Sequence, residues 1–259
     1  LLFLAPLVGD EVRIQVTGDL KSRPAVRTTL SVLDKAGIHV DAASDLSRFV
    51  IPGGQEYRAG EYVVNGDWPG SASILAAGAV VPGSRVAVNG LFNDEQGERA
   101  IVDVLRAMGV EVVFDGACVT VHGPARLLPV DFDGDLATDA VLAMVSAACF
   151  ADGVSRFFNV ANLRLKECDR ITEPLEELRR LGVRNGEKPD EIIIHGSPEG
   201  YEGGLSLSGR GDHRVIMMLA VCALRTRRGI MITGAEHISK SYPDFFKHIC
   251  ALGAKVELR

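Results

Sequence analysis

Hydrophobic and polar positions follow a pattern that recurs about every 72 residues along the chain. Four amphipathic segments end alike, in S-V-L-D-K-A-G-I, V-L-R-A-M-G-V, E-L-R-R-L-G-V and I-C-A-L-G-A. Their glycines, at positions 37, 109, 182 and 253, are separated by 72, 73 and 71 residues. Such regular spacing is typical of a duplicated structural unit. Each glycine is predicted to end its helix in a left-handed conformation.

Each unit presents the same order of predicted elements. A nearly continuous apolar stretch comes first, as in A-S-I-L-A-A-G-A and V-L-A-M-V-S-A-A-C-F, and predicts a buried helix. The opening L-L-F-L-A-P-L is interpreted in the same way. A short β-type run follows, then an amphipathic helix, then one or two strands such as E-I-I-I-H. This order, α-β-α-β-β, predicts an α/β fold built of repeated modules around buried helices.

A segment rich in glycine and proline, I-P-G-G-Q-E-Y-R-A-G-E-Y-V-V-N-G-D-W-P-G, separates the first unit from the second. Such composition is typical of a connection between domains. A chain of 259 residues also has the length of about two domains. We therefore predict a hinge near residues 62–67, with residues 1–64 in one domain and residues 65–259, which hold three units, in a second.

Composition and charge exclude several classes of protein. The chain is 47% hydrophobic and 24% charged and carries a net charge of −6, which is typical of a globular protein and unsuited to nucleic acid or an anionic membrane. It has no apolar run of about 18 residues that could span a membrane and no signal-peptide pattern. The five cysteines are scattered without metal-binding spacing. They predict reduced thiols, a cytoplasmic location and no metal.

Polar clusters stand at corresponding places in the units, at the ends of apolar helices and strands. Asp139 and the stretch G-D-H-R each start a predicted buried helix, and N-L-R-L-K-E-C-D-R follows a strand. The N-terminus of a helix favours anions. If the loops converge in the fold, four cations would meet there, namely Lys166, Arg170, Arg214 and Lys240. This set suits a ligand with several negative groups, such as a phosphate and a carboxylate.

Several of these motifs together resemble the 5-enolpyruvylshikimate-3-phosphate synthase family. K-E-C-D-R, G-D-H-R about 45 residues later and S-K-S-Y-P-D-F-F are similar to its patterns K-E-[ST]-D-R, D-H-R and [ST]-K-[ST]-[FY]-P. L-K-S-R-P, G-D-W-P-G-S-A-S and the E-Q-G-E-R region also resemble family segments, in the family's order. The resemblance implies an inverse αβ-barrel-like enolpyruvyl transferase fold of repeated βαβαββ units around buried helices, with the active site between two domains. Residues 1–64 would be the last unit of an incomplete shikimate-phosphate-side domain.

The resemblance also implies an activity. The family transfers the enolpyruvyl group from phosphoenolpyruvate to the 5-hydroxyl of shikimate 3-phosphate and releases phosphate, in the shikimate pathway of aromatic amino acid biosynthesis. No metal or cofactor is implied, and we expect a monomer when the protein is complete.

The resemblance assigns roles to eight residues of this chain. Asp139 would be the general base and Glu167 would protonate the methylene carbon of phosphoenolpyruvate. Shikimate 3-phosphate would be bound by Ser22, Asn162 and Lys166. Phosphoenolpyruvate would be bound by Arg170, Arg214 and Lys240. The chemistry agrees, because addition across the enol needs an acid at carbon and a base at oxygen. Arginines can also grip a carboxylate or phosphate with two N–H groups.

The chain departs from the family pattern at several points. Ala25 stands where the family often has a tyrosine that contacts the shikimate ligand, and Cys168 stands where serine or threonine is usual. Leu1 is not methionine, and several family segments, including one phosphoenolpyruvate-binding arginine, would lie upstream of it. We therefore expect the 259 residues alone to show negligible turnover.

Other interpretations stay open at the level of sequence. Glu167 could be a surface ion pair, and Asp139 could be only a helix N-cap. The protein could be a UDP-N-acetylglucosamine enolpyruvyl transferase, which shares the fold and the donor, or a non-catalytic module of the same fold. An RNA 3′-phosphate cyclase of similar repeat architecture is disfavoured by the acidic net charge.

Overall fold

The described chain divides into two compact units, each with its own hydrophobic core. The structure is a computed structural model and describes residues 1–257. Unit 1 comprises Leu1–Asn65 and Asn93–Gly97, and unit 2 comprises Gly66–Phe92 and the chain from Glu98 onward. Each unit contains one cluster of buried hydrophobic residues, and neither cluster extends into the other unit.

Unit 1 packs an amphipathic helix against a small antiparallel sheet. Its elements are β1 (Val12–Gln15), α1 (Arg23–Lys35), β2 (Asp41–Ala42) and β3 (Arg48–Ile51). Strand β3 lies between β1 and β2 and is antiparallel to both. Phe49 and Ile51 alternate along β3 and point into the core, where Val26 and Leu30 of α1, one helical turn apart, pack against them.

Unit 2 places its strands in three sheets within the described residues. The first, in the order β4-β6-β5, is antiparallel and consists of β4 (Arg85–Asn89), β5 (Glu111–Asp115) and β6 (Cys118–His122). The second, in the order β7-β8-β10-β9, consists of β7 (Asp131–Asp133), β8 (Val154–Phe158), β9 (Arg184–Lys188) and β10 (Glu191–His195). The third pairs β11 (Ser206–Ser208) with β12 (Met231–Thr233) in parallel.

Three helices of unit 2 are buried on nearly all sides. They are α2 (Trp68–Val80), α4 (Val141–Ala148) and α6 (His213–Ala223). Small and aliphatic residues cover their whole circumference, as expected for helices surrounded by other elements. The amphipathic helices are α3 (Ile101–Ala107), α5 (Thr172–Leu181) and α7 (Phe245–Ala251), each with one face on the core.

The predicted repeat is confirmed in the elements. The run β7-α4-β8-α5-β9-β10 combines a parallel β-α-β crossover with a helix and a hairpin, and α2-β4-α3-β5-β6 repeats it without the first strand. All four repeated glycines have positive φ, between 79° and 106°, and follow the ends of α1, α3, α5 and α7. Glycine adopts this conformation without the steric cost of a side chain.

The prediction of a buried helix at the opening L-L-F-L-A-P-L was wrong. Only a single 3-10 turn, Ala5–Leu7, forms there, and Leu1, Phe3 and Leu4 are more than half exposed. An apolar run this short, interrupted by Pro6, cannot sustain an isolated helix, because the first turn is costly to nucleate.

Two features are absent from residues 1–257. None of the helices there combines the length and apolar character needed to cross a membrane. In the same residues, no group of three or more His, Cys, Asp and Glu side chains could hold a metal ion.

Candidate active site

The N-termini of the three buried helices of unit 2 lie close together. Asp212 caps α6 by accepting a hydrogen bond from the Arg214 N–H at 2.8 Å. The Arg214 Nη1 donates to the Pro69 carbonyl in the first turn of α2 at 2.6 Å. Asp139 lies in the 3-10 turn that leads into α4. The partial positive charges of the helix ends therefore act on one small region and favour anions there.

The charged loop after β8 is closed on itself. The Arg170 N–H donates to the Leu163 carbonyl at 3.1 Å, which brings the two ends of the loop together. The Asp169 carboxylate accepts from the N–H groups of Ile171 and Thr172 at 3.0 and 3.1 Å, and so starts α5. The side chains between these anchors, including Glu167, are held at the beginning of the buried helices.

Arg170 lies at the centre of the cluster, with only 3% of its side chain exposed. It contacts Asp212 through two nitrogens, at 2.7 and 3.2 Å, in a bidentate pair. Its Nη2 also contacts Glu167 at 2.6 Å, and its Nη1 contacts Asp139 at 3.0 Å. One guanidinium thus joins three carboxylates that are far apart in the sequence.

Glu167 is held between two cations. Besides Arg170, the Lys240 ammonium contacts its other carboxylate oxygen. Burial by itself would raise the pKa of Glu167, but the Lys240 hydrogen bond, a backbone hydrogen bond and the Arg170 charge outweigh it and lower the pKa to about 2. In this arrangement Glu167 is therefore an ionised carboxylate.

Asp139 is likewise surrounded by positive charge. Lys166 contacts it at 3.2 Å and Arg170 at 3.0 Å. Burial would raise the pKa of Asp139, but the charges of Lys166, Arg214 and Arg170 lower it overall. The Asp139 N–H donates to Glu98 at 3.4 Å, and burial and the Asp139 charge raise the pKa of the Glu98 carboxyl.

Buried polar atoms without a hydrogen-bond partner are concentrated near the cluster. Within residues 1–257, four buried side-chain nitrogen or oxygen atoms have no hydrogen-bond partner. Three of them are Arg214 Nε, His213 Nδ1 and Asn162 Oδ1, which belong to the segments described above. Buried polar atoms in native proteins are nearly always paired, so this concentration indicates groups that a bound molecule can satisfy.

Most of the predicted site residues meet in this cluster. Asp139, Lys166, Glu167, Arg170 and Lys240 are joined by direct contacts. Arg214 follows the Asp212 cap, and the Asn162 amide lies 3.4 Å from Thr138, the neighbour of Asp139.

Ser22 is not part of this cluster, because it belongs to unit 1. It precedes α1 and has a left-handed conformation with φ of 53°, which is uncommon for a residue other than glycine. Ala25, where the family often has tyrosine, lies in the first turn of the same helix.

Two residues of the site were missed by sequence reasoning. Asp212 was noted only as part of a helix start, although it is fully buried and grips Arg170. Glu98 lies in the E-Q-G-E-R region and was not assigned a role. The signal for Asp212 was its position before an apolar helix beside two cationic residues, which is where a carboxylate can cap and form an ion pair at once.

The cluster has the composition of a site for anions and proton transfer. Lys166, Arg170, Arg214 and Lys240 supply four formal positive charges, and an arginine side chain can bind a carboxylate or phosphate through two parallel N–H groups. Asp139 and Glu167 supply two carboxyl groups in different surroundings, which is the usual basis for a separate acid and base.

The chain matches known proteins along nearly its whole length. Residues 1–249 match the family "EPSP synthase (3-phosphoshikimate 1-carboxyvinyltransferase)". A 3-phosphoshikimate 1-carboxyvinyltransferase of Deinococcus radiodurans is 48% identical over 257 residues, which cover 99% of this chain and 58% of that relative. A 3-phosphoshikimate 1-carboxyvinyltransferase of Methanosarcina mazei is 38% identical, and the match covers 99% of this chain and 60% of that relative. The chain thus spans about three fifths of the length of these relatives.

Solved structures give the same result for the fold. An EPSP synthase of Acinetobacter baumannii superimposes with a TM-score of 0.81 at 22% identity, over 99% of this chain and 60% of that one. The enolpyruvyl transferase NikO from Streptomyces tendae superimposes with a TM-score of 0.78 at 20% identity, over 99% of this chain and 58% of its own. These likenesses confirm the predicted enolpyruvyl transferase fold.

Proposed function

The chain belongs to the EPSP synthase (3-phosphoshikimate 1-carboxyvinyltransferase) family, and from this we propose that it carries the proton-transfer and phosphoenolpyruvate-binding groups of such an enzyme. The reaction transfers the enolpyruvyl group from phosphoenolpyruvate to the 5-hydroxyl of shikimate 3-phosphate and releases phosphate. The observation that carries the proposal is the cluster in which Arg170 joins Asp139, Glu167 and Asp212.

We infer that anionic substrates replace the carboxylates of this cluster as partners of its cations. Without a ligand, Asp139 and Glu167 neutralise Lys166, Arg170 and Lys240. A carboxylate or phosphate group of phosphoenolpyruvate can take the place of the Glu167 carboxylate, which contacts both Arg170 and Lys240 and is 26% exposed. Holding two anions beside each other also removes the entropy of their encounter and offsets their repulsion.

The exchange gives Glu167 its role as the acid. Once Lys240 and Arg170 contact the substrate, its negative charge partly neutralises the two cations that lower the pKa of Glu167. The pKa of Glu167 therefore rises from about 2. Glu167 can then take up a proton and pass it to the methylene carbon. As phosphate leaves the resulting tetrahedral adduct, a base removes a proton from the methyl group, and the electrons of that C–H bond restore the double bond.

Asp139 has surroundings that suit the base. Lys166 and Arg214 keep its pKa low, and Lys166 contacts it directly. It stays ionised and can accept the proton of the attacking hydroxyl. Asp139 and Glu167 are thus two carboxyl groups whose roles are separated by their neighbours. Asn162, one of the residues with an unpaired buried atom, is assigned with Lys166 to shikimate 3-phosphate.

We also propose the domain organisation predicted above. Residues 1–64 are the last repeat unit of a shikimate-phosphate-side domain, and residues 65–259 are a second domain of three repeat units. The division into compact units at Asn65 supports this. In this proposal Ser22 binds the phosphate of shikimate 3-phosphate from the first domain. The complete protein is a cytoplasmic monomer that acts on small molecules, without a nucleic-acid or membrane partner.

The test of this function uses the protein expressed from its complete reading frame. We expect phosphate release from phosphoenolpyruvate with shikimate 3-phosphate as acceptor and none with UDP-N-acetylglucosamine. Glu167→Gln and Asp139→Asn, which keep the shape of each side chain, should each lower kcat by at least about 100-fold, in the range expected for a general acid or base. Wild-type rates in both variants would contradict the roles assigned to Glu167 and Asp139, whereas no phosphate release by the wild type would favour a non-catalytic module.

A further inference from the structure

We propose that Arg164 is a positioning residue that fixes the catalytic loop Leu163–Arg170. The inference rests on the proposed function, since it concerns how Glu167 and Lys166 of that loop are presented. Arg164 is one of three cations in the loop, but it lies away from the cluster formed by the other two, Lys166 and Arg170.

The guanidinium of Arg164 has no N–H group left for a substrate. Its Nε donates to the Pro189 carbonyl at 3.1 Å. Its Nη1 donates to Asp169 at 2.8 Å and to the Thr172 hydroxyl at 2.9 Å. Its Nη2 donates to Glu187 and to the Lys188 carbonyl, both at 3.0 Å. A guanidinium has five N–H donors, and all five are used.

These contacts tie the loop to two rigid elements at once. Glu187 and Lys188 belong to β9, and Thr172 begins α5. The Thr172 hydroxyl also donates to Glu187 at 2.9 Å, which closes a ring of hydrogen bonds. Arg164 therefore links the start of the loop to the strand and helix that follow it.

The middle of the loop depends on such anchors. Leu165, next to Arg164, is 87% exposed and contributes little packing. Lys166 and Glu167 follow it, with 29% and 26% of their side chains exposed. A loop this poorly covered needs polar anchors at its ends to hold side chains to the precision that catalysis requires. Arg170 supplies the second anchor through Asp212.

Arg164→Lys is the most informative substitution. Lysine keeps the charge but has only three donors on a flexible chain, so it cannot reproduce the five contacts. Arg225→Lys is the matched control. Arg225 also binds two carbonyls, those of Val80 and Pro198, and lies over the Phe150 ring 5.2 Å away, but it makes no contact with the loop. Both variants should lower Tm by a few degrees.

The first measurement does not need turnover. The 13C shift of the Glu167 carboxyl, assigned with Glu167→Gln, is followed from pH 7 to pH 1.5 in the 259-residue chain. Glu167 faces Arg170 on its own loop, Lys240 before α7 and His213 at the start of α6. Arg164→Lys should move Glu167 away from these cations and raise its pKa by about one unit, whereas Arg225→Lys should leave the titration unchanged.

The second measurement uses the protein from the complete reading frame. Arg164→Lys should lower kcat/KM for phosphoenolpyruvate by at least about tenfold relative to Arg225→Lys, because small misplacements of catalytic groups are costly. If no variant or wild type turns over, the proposed function fails, and the carboxyl titration still decides the role of Arg164.

The proposal is overturned if Arg164→Lys matches Arg225→Lys in both the Glu167 titration and kcat/KM, since Arg164 would then only stabilise the fold. Should Arg164→Lys fail to fold, Glu187→Gln takes its place. It removes one charge from the ring and keeps the shape of the side chain. Glu187→Gln should also raise the Glu167 pKa, but by a smaller amount than Arg164→Lys. An unchanged pKa would equally contradict the proposal.

Discussion

Replacing Asp212 with alanine tests how strongly the cluster is fixed to the core. Asp212 is fully buried and makes two hydrogen bonds to Arg170, at 2.7 and 3.2 Å, in addition to the cap on Arg214. Removing one partner of a buried ion pair costs about 3–5 kcal/mol. Because Arg170 keeps Glu167 and Asp139, we expect the lower end, about 3 kcal/mol. Losing the cap adds about 1 kcal/mol.

Asp67→Ala is the matched control for this substitution. Asp67 caps α2, another buried helix of unit 2, by accepting from the Gly70 N–H at 3.0 Å. We expect its loss to cost about 1 kcal/mol. The difference between the two variants, about 3 kcal/mol, is then the contribution of the pair with Arg170. Asp212→Asn, which keeps an acceptor but not the charge, should lie between them.

The assay is urea unfolding at pH 7, followed by tryptophan fluorescence. Trp68 is the single tryptophan of the chain and is fully buried in unit 2, so it reports on the unit that contains Asp212. An Asp212→Ala variant within about 1 kcal/mol of Asp67→Ala would refute the reasoning that a buried pair anchors Arg170.

Four further results are expected. Lys240→Met should raise the pKa of Glu167 from about 2 toward its ordinary value of 4.5, by about one unit, while Lys247→Met should not, as a carboxyl 13C titration would show. Because Glu167 has a lowered pKa, its ionic contribution to stability is present above pH 4.5 and is lost as the pH falls toward 2. Burial and the charge of Asp212 raise the pKa of the Cys168 thiol to about 12, so iodoacetamide at pH 8 should modify exposed Cys250 much faster than Cys168, and equal rates by mass spectrometry would contradict this. Since the chain spans only 58% of a relative, its own turnover should be negligible beside that of a full-length family member.

The repeat and the buried helices could be predicted from the sequence because local physics determines them. Glycine after a helix and small apolar residues around a whole helix each point to one structure, and Gly182 and α4 show this. The prediction for the opening apolar run was wrong, because hydrophobic content alone does not distinguish a buried helix from a short turn that is half exposed.

The site could be predicted only in part. Motif resemblance pointed to Glu167, Arg170 and Lys240, but sequence gives no distances between loops that lie 73 residues apart. The roles of Asp212 and Arg164 could not be predicted, because they depend on long-range pairs, with Arg170 and with Glu187, that only the fold creates. The lowered pKa of Glu167 also depends on the fold, because the fold brings Arg170 and Lys240 to its carboxylate. Without these neighbours a glutamate has an ordinary pKa.

The most direct test of the central claim is deuterium incorporation into the methylene group of phosphoenolpyruvate in D2O. The protein from the complete reading frame is incubated with phosphoenolpyruvate and shikimate 3-phosphate, and recovered phosphoenolpyruvate is analysed by mass spectrometry. If Glu167 adds a proton reversibly at the methylene carbon, wild type should incorporate deuterium. Glu167→Gln should incorporate none while still binding phosphoenolpyruvate through Arg170 and Lys240. Equal incorporation by wild type and Glu167→Gln would contradict the account.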